Sequence, residues 1–100
     1  MGKKRVVITG MGAITPIGNN ISEYIVALKN GVSGCKKIKS FDTSKFKTKI
    51  ACEVKSYDPL DYFEKKDSRK MDIFSQFGMI AANEAIINSE INLEKIDKNR

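Results

Sequence analysis

Cys35 and Cys52 are the only strong nucleophiles in this chain. A catalytic thiolate needs a base or a helix N-terminus to hold it. The chain has no histidine to be that base. Cys35 stands beside Lys36 and Lys37, but nearby lysine alone does not make a catalytic site. Cys52 falls on the apolar side of an alternating segment, which predicts a buried, inert thiol. The spacing is neither Cys-x-x-Cys nor a zinc pattern. No catalytic, cofactor-binding or metal-ligating residue is therefore assigned.

Phosphate chemistry is the next candidate. Val6-Val7-Ile8-Thr9 runs into Gly10 and Gly12, with Pro16 and Gly18 beyond. A β-branched run bounded by glycine predicts a strand buried on both faces. A dinucleotide site would need Gly-x-Gly-x-x-Gly, and Thr15 stands where the third glycine belongs. Pro16 follows where the phosphate-binding helix should start, and no Gly-Lys-Ser/Thr ending is present. The glycines read as structural, allowing positive φ and close backbone packing.

The third chemistry is cationic. Lys66, Arg69 and Lys70 lie at i, i+3 and i+4 and would share a helix face. Cations at a helix start oppose the macrodipole, which points to an anionic partner. Six lysines from Lys36 to Lys49 show no helical stripe and no aromatic interleaving, and read as a solvating surface. The net charge is +6. Arg69 is the only arginine away from the chain's ends, and arginine is preferred for forked phosphate contacts. With eight aromatics per hundred residues and no tryptophan, a base-stacking platform is missing. Nucleic acid is not an expected partner.

These residues must be positioned by a few elements. Asn20 with Glu23 predicts a capped helix over 21–29, with Ile21, Tyr24, Ile25 and Leu28 on one face. Asn30-Gly31 ends it. Residues 31–48 read as a loop. Residues 49–55 alternate, with Ile50, Cys52 and Val54 inward and Lys49, Glu53 and Lys55 outward. Asp58-Pro59 suits a short helical turn. The longest element is a helix from Ser68 to Ser89, apolar on two sides and so buried on both. Gly78, Ala81, Ala82 and Ala85 give it a flat face for a close backbone. Nothing is apolar enough to be a signal peptide or a membrane span, and the chain reads as cytoplasmic, with reduced thiols.

The opening run VVITGMGAITPIG, Val6 to Gly18, resembles the β-ketoacyl-ACP synthases, condensing enzymes with a thiolase-like fold. Gly31-Val32-Ser33-Gly34 is similar to their G-x-S-G loop. FDTSKFKTKIACEV, residues 41–54, is similar to FDxSxFxTxxAGEV of the type II branch, with Cys52 in place of glycine. The segment opened by Arg69-Lys70-Met71-Asp72 is similar to RKMDxFxQFGMxAAxEA. The resemblance implies an α/β fold, here the N-terminal part of a layered α-β-α-β-α arrangement. It implies a homodimeric acyltransferase of fatty-acid elongation, condensing malonyl-ACP with acyl-ACP. No cofactor is implied beyond the carrier's phosphopantetheine. The family's catalytic cysteine and two histidines match no position in residues 1–100, so the chain alone is expected to be inactive. Basic residues matching Lys66, Arg69 and Lys70 are implied to dock the acyl carrier protein. A polyketide ketosynthase segment and a non-catalytic carrier-binding module are the alternatives. A chain starting at Met1 favours the stand-alone enzyme, with a further strand expected after Arg100.

Overall fold

The structure, a computed structural model, describes residues 2–97 and Asn99. The strand expected after Arg100 lies outside these residues. The first helix, α1 (Ile21–Lys29), has the predicted bounds. The Asn20 side chain accepts from the Glu23 N–H at 2.9 Å. Glu23 reaches back one residue further than a capping box requires, accepting from the Asn19 N–H at 2.7 Å. At the other end the Val32 N–H bonds the Ala27 carbonyl and the Gly31 N–H bonds Leu28. That pair is the Schellman closure, and Gly31 supplies its left-handed residue at φ +65.

Residues 31–48 are not all loop. Cys35–Lys37 forms β1, paired antiparallel with β2 (Ile50–Cys52). Sequence reading missed β1 because its two lysines and flanking glycines and serines resemble a turn. β2 is shorter than expected, and Ile50, Cys52, Glu53 and Lys55 reverse the expected alternation while Lys49 and Val54 keep it. Ile50 and Cys52 are exposed, while Ala51, Glu53 and Lys55 are half-buried. The reason is Lys55. Its ammonium donates to the carbonyls of Pro16, Gly34 and Glu53 at 3.1, 2.7 and 2.8 Å. Three fixed acceptors replace much of its hydration, which lets a charged side chain turn inward. Glu53 is held below the usual carboxylate range by the Ser40 side chain and then the Lys39 N–H.

The expected helix from Ser68 to Ser89 is two elements. α2 (Lys65–Ser68) ends at Arg69, and α3 (Ile73–Ser89) starts after Asp72, whose extended backbone interrupts the helix. The turn Pro59–Asp61 precedes α2, and the Asp58 side chain caps it at 3.0 Å from the Leu60 N–H.

The small-residue face of α3 receives the glycine loop. A Cβ on Gly10 would strike the Ala85 carbonyl oxygen, and one on Gly12 the Ala81 carbonyl. Close approach is the use of these glycines. Positive φ is not, since Gly31 alone among the described glycines adopts it. Gly78, expected on the same flat face, has open space at its Cβ position.

α3 is covered only in part. Gln76 is buried, whereas Phe74 is 74% and Ile87 68% exposed. Val6–Thr9 pairs with no described strand, leaving Val6 93% and Ile8 85% exposed. An extended segment becomes a sheet strand only through neighbours that take its N–H and C=O groups, and the described residues supply none. Of the expected α1 stripe, Ile21 and Tyr24 are half-buried but Ile25 and Leu28 are exposed. A folded monomer of this 11.2 kDa mass would show about 5,700 Å² of accessible surface. This chain shows 8667 Å². Produced alone, it should bind a hydrophobic dye strongly and self-associate on size exclusion. A monodisperse monomer with one cooperative calorimetric transition would contradict this account.

Candidate functional site

Lys66, Arg69 and Lys70 are all exposed. They sit on one tight turn and not at the head of a long helix. Lys66 lies within α2, Arg69 closes it, and Lys70 follows. The turn is fixed by Ser68 N–H to Glu64, Arg69 N–H to Lys65 and Lys70 N–H to Asp67, at 2.9, 3.3 and 3.1 Å. This corrects the dipole argument. Arg69 and Lys70 stand at the C-terminal end of α2, where cations are favoured, so no electrostatic awkwardness needs a partner to explain it. What remains is an exposed trio of cations on a rigid support.

The support is Gln76, the most buried polar side chain among the described residues at 3% exposure. Its amide nitrogen donates to the carbonyls of Ser68 and Met71, at 3.0 and 3.2 Å. Its amide oxygen accepts from the Tyr57 hydroxyl. The two carbonyls flank Arg69 and Lys70, so one amide pins the segment that carries them. Tyr57 is itself wedged against Phe77, edge to face at 4.9 Å, and stacked near Tyr62 at 6.0 Å. Burial pushes the Tyr57 phenol up, with Tyr62 and Asp58 adding to the effect. The hydroxyl thus remains a donor to Gln76 across the neutral range. Gln76 lies in a motif quoted above, but its polarity inside an apolar stripe was the only signal of its role.

The glycine loop is not an anion cradle. The Ala13 N–H donates to Glu84 Oε1 at 2.9 Å, and the Met11 N–H to Asn88 Oδ1 at 3.1 Å. Glu84 also takes the Ile21 N–H at the start of α1, through both oxygens, at 3.2 and 3.1 Å. Donors that a phosphate would need at Met11, Ala13 and Ile21 are already bonded, two of them to a carboxylate that would repel it. The hollow between the start of α1 and α3, lined by Asn19, Tyr62, Ile80, Asn83 and Ile87, offers no other charged group.

Of the two thiols, Cys52 differs from expectation. Cys35 and Cys52 are both free and exposed. Cys52 is uncovered because the Lys55 anchorage turns the other face of β2 inward. Neither touches a base. In the lysine-rich loop, Lys49 is not merely solvating: its ammonium donates to the carbonyls of Thr43 and Ser44, at 3.3 and 3.4 Å. Lys36, Lys37 and Lys39 are exposed, as a solvated surface requires. Among the described residues no group of acidic, cysteine or histidine side chains is placed to hold a metal.

A family model described as beta-ketoacyl synthase, N-terminal domain, matches residues 3–100. The 3-oxoacyl-[acyl-carrier-protein] synthase 2 of Vibrio cholerae is 46% identical over 96 residues, 94% of this chain and 23% of that protein. The protein of the same name from Coxiella burnetii is 43% identical over 100 residues, all of this chain and 24% of that one. The chain thus spans about a quarter of the length of these relatives. Among solved structures, the ishigamide ketosynthase/chain length factor superposes with a TM-score of 0.83 at 32% identity, covering 95% of this chain and 24% of that one. A chain from AntDE:AntF (apo), a type II PKS acyl-carrier protein in complex with its ketosynthase bound to the hexaketide, gives 0.70 at 28% identity, covering 96% and 25%.

Gln76→Leu leaves the Tyr57 hydroxyl and two carbonyls without partners, which costs about 1–3 kcal/mol for each group that stays buried. In the full-length protein, trypsin should cut after Arg69 and Lys70 faster in this variant than in the parent. Gln76→Glu should loosen the turn more, since it puts an oxygen where two carbonyls need a donor. Unchanged cleavage in both variants would show that Gln76 does not hold the turn.

Proposed function

The chain belongs to the β-ketoacyl synthase N-terminal domain family, with its α/β thiolase-like fold, and from that premise we propose that it is the carrier-docking N-terminal portion of a 3-oxoacyl-ACP synthase of the type II class. The whole enzyme would move an acyl chain from its carrier to a cysteine, then condense it with malonyl-ACP as carbon dioxide leaves. It would need no cofactor beyond the carrier's phosphopantetheine, and would work as a homodimer in the cytoplasm. No helix among the described residues is long and apolar enough to cross a membrane. The observation that carries the docking role is the exposed trio Lys66, Arg69 and Lys70 on a turn clamped from beneath by Gln76. A rigid cationic turn suits an acidic surface, because pre-ordered charges lose little freedom on binding and steer the encounter.

The solved neighbours favour a second reading, a polyketide ketosynthase, since one of them belongs to a type II polyketide system. The fatty-acid reading is preferred because its named relatives reach 46 and 43% identity against 32 and 28% for those structures.

On either reading the chemistry falls outside these 100 residues. Incubated with acyl-ACP and malonyl-ACP, the chain alone should form no 3-oxoacyl product by mass spectrometry. Product whose formation stops in Cys35→Ser or Cys52→Ser would overturn the scaffold role.

In the full-length enzyme, Lys66→Glu, Arg69→Glu and Lys70→Glu together should weaken acyl-ACP binding, chiefly through the association rate. The deficit should shrink as salt screens the charges. Stability should change by no more than about 0.5 kcal/mol per site, since the residues are exposed. The matching reversal of Lys36, Lys37 and Lys39 should have a much smaller effect. Equal binding by the two triple variants at low salt would return the trio to a solvated surface.

A further inference from the structure

The hairpin sets two thiols directly opposite each other, because Cys35 pairs with Cys52 in the register of β1 and β2. The register also fixes the kind of pair. The Ile38 N–H donates to the Lys49 carbonyl at 2.9 Å. Residues directly opposite in an antiparallel ladder exchange such bonds only at hydrogen-bonded positions, and the two kinds of position alternate. Lys37–Ile50 is therefore a non-hydrogen-bonded pair, Lys36–Ala51 a bonded one, and Cys35–Cys52 non-bonded again. At that kind of position the Cα atoms lie about 4.5 Å apart, within the range of about 4.4–6.8 Å that a disulfide spans. Opposite residues share a face of the ladder. Both thiols are exposed, so an oxidant can reach them.

We propose that Cys35 and Cys52 are a redox pair that forms a reversible cross-strand disulfide, with an anionic low-molecular-weight disulfide of the glutathione type as oxidant. The thiolate of one cysteine attacks a sulfur of the oxidant, breaks its S–S bond and expels one small thiolate. The second protein thiol gives up its proton and attacks the protein sulfur of this mixed disulfide, expelling the other small thiolate. The two protein thiols lose two electrons and two protons, and the oxidant leaves as two thiols. Exposed Lys36 and Lys37 follow Cys35 in β1 and Lys39 lies just beyond, so the local field draws an anionic oxidant in. The bond closes the neck of residues 38–49, and the hairpin cannot open until it is reduced. The pair is on the hairpin, a different element from the turn that carries Lys66, Arg69 and Lys70, and the inference does not depend on the condensing-enzyme reading.

The test uses the full-length protein at low concentration, titrated with oxidised glutathione. The reaction is quenched with N-ethylmaleimide and the protein digested with trypsin. The expected product is peptide 30–36 joined to peptide 50–55, two hydrogens lighter than their sum and absent after dithiothreitol. Cys35→Ser and Cys52→Ser should each remove the joined peptide, leaving the remaining cysteine with a glutathione adduct. Three results would overturn the proposal: separate glutathione adducts on both cysteines of the parent with no joined peptide, full alkylation of both thiols at every ratio, or joined peptides found only in covalent dimers on a non-reducing gel.

Discussion

One carboxylate ties the glycine loop and the first helix to α3. Glu84 leaves α3 and takes the N–H of Ala13 in the glycine loop and of Ile21 at the head of α1. Two neighbouring segments thus meet a helix 71 and 63 residues further along the chain at a single side chain. A charged acceptor is suited to this, because its hydrogen bonds are shorter and stronger than those of a neutral amide. It also carries negative charge at a helix N-terminus, where the dipole favours it. The glycines at 10 and 12 follow from the same constraint. The loop must come within carboxylate reach of α3, and no side chain fits between them.

About two turns toward the N-terminus of α3, Gln76 repeats the device with a neutral group. An amide can give and accept at once, which Tyr57, Ser68 and Met71 together require. A carboxylate there would meet two carbonyl oxygens, and a leucine would leave three polar groups unpaired. α3 therefore does more than pack. Its polar residues decide where the glycine loop, α1 and the cationic turn stand, while its apolar residues mostly face away from everything described. Its ties are polar, and Phe74, Met79 and Ile87 stay largely open, apolar surface that the described residues leave uncovered.

The legible parts of the fold were those governed by local rules. Asn20, Glu23 and Gly31 state where α1 starts and stops, and the structure agrees at both ends. Asp58-Pro59 states its turn equally well. The small residues of α3 announced a close backbone, and Gly10 and Gly12 arrive at Ala85 and Ala81. Illegible parts depend on distant partners. Val6–Thr9 carries every mark of a central strand, but strand character lies in neighbours that no local pattern supplies. β1 is lysine and cysteine, and only pairing with β2 makes it a strand. The inward turn of Lys55 depends on carbonyls from Pro16 and Gly34, distant in sequence. Of the candidate site, the identity of Lys66, Arg69 and Lys70 was legible and their support was not. Periodicity placed Gln76 in a helix but could not show which carbonyls it would meet.

Lys55 also makes the lysines of this chain unequal. Most of them are exchangeable points of positive charge on a wet surface, where arginine serves as well. An ammonium can aim three hydrogens at three separate carbonyls, as Lys55 does toward Pro16, Gly34 and Glu53. A planar guanidinium spreads its donors in one plane and cannot replace it. Acetylation would leave a single N–H for three acceptors and push a bulky amide into the space between two loops. A reagent or an enzyme that marks lysines would therefore meet two populations here. One changes only the field around the protein. The other, Lys49 and Lys55 among the described residues, holds backbone in place, and Lys55 decides whether the hairpin stays seated against the glycine loop.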